Sequence, residues 1–138
     1  MINEQLKKKA MEIMNMEGLI STLDMQLTSL ALGDAVGEIT IEDKHKNLHG
    51  GVHGGTIFAL ADTIAGFAVF TYGKSCYTVN SSIEYMRSTL KSEKIICHAH
   101  TTKYGKTIAW VECEILDEKG RVLGSTKSTY YLLDDMVQ

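Results

Sequence analysis

Residues 55–73, GTIFALADTIAGFAVFTYG, read as a helix that is apolar on nearly every side and is closed by Gly73. A helix of this kind cannot lie on a surface, because some other part of the molecule must cover each of its faces. A chain of 138 residues is long enough for one sizeable core and short for two typical domains. The cover therefore has to come from the flanking segments of a single domain spanning 1–138, or from a second subunit. Those flanks read as strands. After the helix, YTVNSSIEYM, KIICHAHTTKY, KTIAWVECEIL and RVLGSTKSTYYLL each alternate with period two. The first is expected to place Val79, Ser81, Ile83 and Tyr85 on one face. In the third, Ala109, Val111, Cys113 and Ile115 oppose Trp110, Glu112 and Glu114. DEKG between the last two is a turn signal. Ahead of the helix, strands are expected over about 24–31 and 34–41 around Gly33-Asp34, preceded by an amphipathic helix over 3 to about 16 that carries Leu6, Ala10, Ile13 and Met14 on one face. The fold class is α+β: an antiparallel sheet wrapped around one long buried helix.

Composition narrows the function more than the fold. A net charge of −3 gives no electrostatic footprint for nucleic acid. The N-terminus lacks the continuous apolar run of a signal peptide, and no stretch approaches the length of a bilayer span, so a cytoplasmic protein with no membrane partner is expected. Cys76, Cys97 and Cys113 form no CxxC pair and are odd in number, which points to reduced thiols. There is neither a G-x-S-x-G elbow nor a phosphate-binding P-loop.

Chemistry concentrates in NLHGGVHGGTIFALADT, residues 47–63, where His-Gly-Gly occurs twice. Asp62 is the only ionisable side chain between His53 and Tyr72. A carboxylate on so apolar a helix is costly unless it is satisfied by hydrogen bonds or put to use as a base or nucleophile. A helix N-terminus presents free N–H groups and partial positive charge, so a helix beginning near Gly54 offers amides that hold a developing oxyanion. His49-Gly50-Gly51 lies upstream and reads as loop. Gly54 and Asp62 are eight residues apart, or roughly 12 Å along a helix, too far for one helix to supply both oxyanion donor and attacking group. Two such helices antiparallel across a twofold axis can, so the spacing points conditionally to a dimer with composite sites.

Asn47, His53-Gly54-Gly55 six residues later and Asp62 nine beyond that histidine resemble the signature of hotdog-fold acyl-CoA thioesterases. The likeness is greatest to the phenylacetate-pathway thioesterase-like branch of the 4-hydroxybenzoyl-CoA thioesterase superfamily, and it continues through TVNSSIEYM and the last two strands. The resemblance implies a hotdog fold and hydrolysis of an acyl-CoA to free acid and coenzyme A. It implies that the Gly54 N–H binds the thioester carbonyl, that Asn47 fixes the carbonyl or the attacking water, and that Asp62 of the partner subunit acts as nucleophile or base. His53 would support the loop, and Thr78 falls where a water-positioning hydroxyl is found. It further implies a homodimer pairing into a tetramer, with no cofactor beyond the coenzyme A of the substrate. Lys103, Lys106, Arg121 and Lys127 are the candidates for its phosphates. Where the family commonly has Arg-Pro after this strand, the chain has Arg87-Ser88.

Other readings compete. His45, His49 and His53 recur every four residues, the spacing of helical metal ligands, but the intervening glycines argue against a continuous helix there. His98 and His100 share a strand face, most simply as exposed histidines, and Trp110 with Tyr130-Tyr131 most simply packs. A hotdog dehydratase would share the fold but shows a different His and acid pattern. A non-catalytic acyl-CoA-binding or regulatory module would keep the Gly54 amides without needing Asp62.

Overall fold

A computed structural model describes residues 2–137. Helix α1 covers Glu4–Met14, with the Asn3 side chain accepting from the Gln5 N–H at 2.7 Å as its N-cap. A short helix α2, Leu19–Thr22, leads into strands β1 (Gln26–Ala31) and β2 (Asp34–Thr40). A 3₁₀ turn at Asp43–His45 follows, then the long helix α3, Gly54–Phe70. Strands β3 (Lys74–Tyr85), β4 (Lys94–Tyr104), β5 (Ile108–Asp117) and β6 (Val122–Met136) complete the chain. All six strands form one antiparallel sheet in the order β1-β2-β4-β5-β6-β3. The expected elements are all present, and the two short helical turns are additions that the sequence pattern did not indicate.

The sheet curls around α3, whose Leu60 and Ile64 are fully buried against Ile39, Ile95 and Ile115. Each such aliphatic side chain contributes about 1.5–3 kcal/mol on burial. The C-terminal end of α3 is tied to the first hairpin by the Gly33 N–H, which donates to Thr71 Oγ1 at 2.7 Å. One stripe of α3 remains uncovered: Gly55, Phe58, Ala59, Asp62, Thr63 and Gly66, at helical spacing, are half-buried or exposed, while the opposite side of the helix is buried.

Strand β3 is an edge strand of twelve residues, and its free side shows Tyr77, Val79 and Tyr85 exposed. Its expected alternation is corrected by a bulge between Thr78 and Asn80. Because residues paired across strands share a face, Thr78 opposite the buried Tyr130 joins Ser81 and Ile83 on the inner side, and Val79 is the extra residue pushed out.

The DEKG turn is built on Asp117. Its carboxylate is fully buried and accepts from the Lys119 and Arg121 N–H groups, both at 2.9 Å, and from Arg121 Nε at 2.7 Å. Burial pushes this carboxyl up, but the backbone and guanidinium donors outweigh it and hold the group below the ordinary carboxylate value.

Candidate active site

The loop before α3 is pinched at its base. The Glu42 N–H donates to His45 Nδ1 at 2.9 Å, so Nε2 carries the proton and donates to the Leu23 carbonyl at 2.8 Å. His45 is completely buried and both ring nitrogens are engaged, which makes it an anchor and removes it from any histidine triplet. The His53 N–H donates to the His45 carbonyl at 2.8 Å, and Lys46 bridges to Val52. Between these clamps, Asn47 Oδ1 accepts from the His49 N–H at 2.9 Å and the Gly51 N–H at 3.2 Å. The first His-Gly-Gly is thus folded around the Asn47 side chain as an Asx turn. Its Oδ1 is used there, and its amide donor has no partner among the described residues.

The second His-Gly-Gly starts α3. His53 is the N-cap, and its Nδ1 accepts from the Gly55 N–H at 2.8 Å. The Gly54 N–H has no acceptor among the described residues. Tyr85 hangs over this turn and donates its hydroxyl to the Gly54 carbonyl at 2.8 Å. A Cβ on Gly54 would stand 3.0 Å from that hydroxyl. Asn47, Gly54 and Tyr85 line a cleft of about 400 Å³, within the range of small-molecule sites. His49 lines it as well, so the loop expected to be a bystander contributes a residue to the cleft wall.

Asp62 does not line this cleft. It lies on the uncovered stripe of α3, and burial by its surroundings raises its carboxyl above the ordinary value of 3.8. Its backbone carbonyl accepts from the Tyr130 hydroxyl at 3.4 Å, and Thr78 pairs directly with Tyr130. Burial, then the charge of Asp62, pushes the Tyr130 phenol well above its usual range, so it stays a neutral donor. One chain therefore carries two separate groups of residues: Asn47 and Gly54 with His53 beside them, and Asp62 with Thr78 around Tyr130.

None of the four expected coenzyme A cations lines the cleft. Lys103 stands 5.0 Å from the Trp110 ring centroid, Lys127 lies 4.0 Å from Glu112, Lys106 is exposed in the β4–β5 turn, and Arg121 is bound to Asp117. Arg87, immediately after β3, does line it. Nothing in the local sequence marks Arg87 as a lining residue, because its place depends on β3 carrying Tyr85 to Gly54. His100 pairs with Asp34 at 2.6 Å on the outer face, beside the exposed His98. Among the described residues, no group of three or more His, Cys, Asp or Glu is arranged to hold a metal ion, and no helix is long and apolar enough to cross a membrane.

A sheet rolled around one helix, whose first turn begins with two glycines and opens on a cleft, is the hotdog arrangement. The chain belongs to the thioesterase superfamily, which it matches over residues 49–123. Human acyl-coenzyme A thioesterase 13 is 30% identical over 109 residues, 77% of this chain and 78% of that protein. The PaaI protein of the E. coli phenylacetic acid degradation operon superposes with a TM-score of 0.91 over 100% of both chains at 19% identity. A hypothetical thioesterase protein of Streptococcus pneumoniae solved with coenzyme A superposes with a TM-score of 0.79 at 23% identity, over 86% of this chain and 93% of that one.

Proposed function

We propose that the protein is an acyl-CoA thioesterase working at composite sites on a homodimer. The observation that carries this reading is the unpartnered Gly54 N–H at the start of α3, facing a cleft that also holds the free Asn47 amide. Two donors fixed in advance, at the positive end of a helix, suit the oxygen of a thioester carbonyl as it gains negative charge. Removing one such donor from an enzyme typically costs about a hundredfold or more in rate. The superfamily membership, the human thioesterase relative and the coenzyme A bound to the S. pneumoniae protein support the same substrate class.

The attacking group comes from the other half-site. Asp62 sits roughly 12 Å along the helix from Gly54, on the one stripe of α3 that this chain leaves uncovered. Pairing two copies across that stripe and the long free edge of β3 covers both and carries Asp62 of one subunit toward Gly54 of its partner. Asp62 then either attacks the carbonyl carbon, giving an acyl-enzyme anhydride, or takes a proton from water that attacks it. In both cases the C–S bond breaks and the coenzyme A thiolate leaves, taking up a proton from water or the protonated base; on the anhydride route a water then hydrolyses the acyl-Asp62, releasing the free acid and restoring the carboxylate. Thr78 is positioned to hold the water, and His53 fixes the loop through its bond to Gly55. Lys103, Lys106 and Lys127 keep exposed ammonium groups for coenzyme A phosphates, whereas Arg121 would have to share its guanidinium with Asp117. Two dimers associating into a tetramer completes the expected assembly.

A non-catalytic acyl-CoA module is the second reading, favoured by one observation: within a single chain Asp62 and the cleft are separate. Free-thiol release from short, medium, long and aromatic acyl-CoAs distinguishes the two. The enzyme reading expects turnover of at least one ester and a kcat lowered about a hundredfold or more in Asp62→Asn with the dimer intact. Binding without turnover in both proteins supports the module.

A further inference from the structure

The chain has two arginines, and they are placed in opposite ways. Arg121 donates to the buried carboxylate of Asp117. Arg87 is exposed, lines the cleft and has no ion-pair or hydrogen-bond partner among the described residues. Its segment is nevertheless held in place. The Met86 N–H donates to the Leu123 carbonyl at 2.8 Å, and Thr89 Oγ1 accepts from the Val52 N–H at 2.9 Å, tying the strand exit to the glycine loop. From that loop His49 lines the same cleft, its backbone fixed by Asn47 and its exposed imidazole without a partner among the described residues. Ser88 and Thr89 add hydroxyls, and among the described residues no Asp or Glu lines the cleft. Every ionisable side chain on its wall is therefore cationic or neutral near pH 7.

We infer that Arg87 and His49 form an anion-recognition subsite of this cleft, taking an oxyanion that the substrate carries away from its thioester. The chemistry fits a carboxylate ending a short acyl chain or a phosphate of coenzyme A, since the guanidinium fork pairs with either through two parallel hydrogen bonds. His49 strengthens the site when protonated and donates a single hydrogen bond when neutral. The duplicated His-Gly-Gly thus divides its labour: the second copy binds the reacting carbonyl, and the first presents a side chain to the far end of the ligand. The inference rests on the thioesterase reading, and its test separates the two.

Steady-state kinetics of the full chain, Arg87→Gln, Arg87→Lys and His49→Gln are measured on three thioesters. Pentanoyl-CoA and glutaryl-CoA are of equal length and differ by a terminal carboxylate, and pentanoyl-pantetheine lacks the nucleotide phosphates. If the anion is the acyl carboxylate, the native protein prefers glutaryl-CoA and Arg87→Gln removes about tenfold of that preference, mainly through KM. If it is a phosphate, Arg87→Gln raises KM for both CoA esters about tenfold more than for the pantetheine ester. His49→Gln shifts the same parameter by a smaller factor, and Arg87→Lys recovers part of the loss. The subsite is overturned if an active, folded Arg87→Gln and His49→Gln leave KM for all three esters within about twofold of native. If the native protein releases no thiol from any ester, the thioesterase reading fails by itself. Calorimetric titration with coenzyme A and with glutarate then decides the subsite: binding weakened about tenfold by Arg87→Gln upholds it, and no binding of either ligand overturns it.

Discussion

The two His-Gly-Gly tripeptides, four residues apart, have the same composition and opposite structures. In the first, Gly50 adopts a φ of +88°, in the left-handed region, and the Gly51 N–H is taken up by Asn47. In the second, both glycines are helical, the histidine side chain caps the helix, and it is the Gly54 N–H that stays unpaired. The neighbours decide the difference. Asn47 stands two residues ahead of the first histidine, where its short side chain competes for backbone N–H groups and closes a turn. The second is followed at once by the apolar run that must be helical to be buried, so its glycines become the first turn of α3. Local sequence identity specifies little when one copy is governed by a side chain upstream and the other by a core downstream.

That contrast can be broken at its strongest point by Gly54→Ala. The new Cβ would meet the Tyr85 hydroxyl at 3.0 Å and its ring carbon at 3.1 Å, forcing apart the contact that holds the helix start. Alanine keeps the N–H, so the expected effect comes from the donor being displaced with the helix start: kcat falls by up to about a hundredfold, the cost of losing one oxyanion donor, with circular dichroism unchanged. Asn47→Asp sharpens the role of the first loop, because it keeps the Oδ1 acceptor that closes the turn and removes the amide donor. The expected outcome is a rate lowered about tenfold or more with Tm close to native, whereas Asn47→Ala lowers both.

A third test concerns the acid that only the second repeat requires. Burial favours the neutral form of Asp62, so its folded pKa lies above 3.8. A base or nucleophile works only when ionised. Consequently kcat/KM should fall as pH drops through that raised value, with an apparent pKa above the ordinary carboxylate value, and the residual activity of Asp62→Asn should lack the limb. A limb at or below the ordinary value would remove Asp62 from the reaction. The smallest effect belongs to Gly50→Ala. Nothing lies within 4 Å of its Cβ position, so the cost is backbone strain alone, about 1–2 kcal/mol for a left-handed residue. It should appear as a lowered Tm with kcat within about twofold of native. If Gly50→Ala damages catalysis as Gly54→Ala does, the two repeats share one job and the contrast collapses.

Much of the fold was legible because periodicity is local. Ala109, Val111, Cys113 and Ile115 face the core as their alternation requires, and α3 begins at Gly54 as its apolar run and glycine pair indicate. The bulge at Thr78–Asn80 was not legible, since it depends on the register with β6 and no turn residue marks it. It is also what brings Thr78 to the inner face beside Tyr130. Among the cations, the Asp117–Arg121 pair could have been read from DEKGR, where a tight turn brings positions four apart together. Lys103 over Trp110 and Arg87 in the cleft could not, because each depends on where another strand ends.

By itself the sequence determined an antiparallel sheet around a single apolar helix with its lone acid, and the spacing from Asn47 through Gly54 to Asp62. The first follows from hydrophobic period and the second is read directly, both being properties of neighbouring residues; the hotdog class came from the resemblance that this spacing carries. Only the tertiary structure decided that the first His-Gly-Gly is a turn around Asn47, that Asp62 lies away from the cleft lined by Gly54, and that Arg87 rather than the four expected cations lines that cleft. Those outcomes depend on sheet register and on the curl of the sheet around α3, which bring together residues far apart in the chain and are fixed only when the core packs.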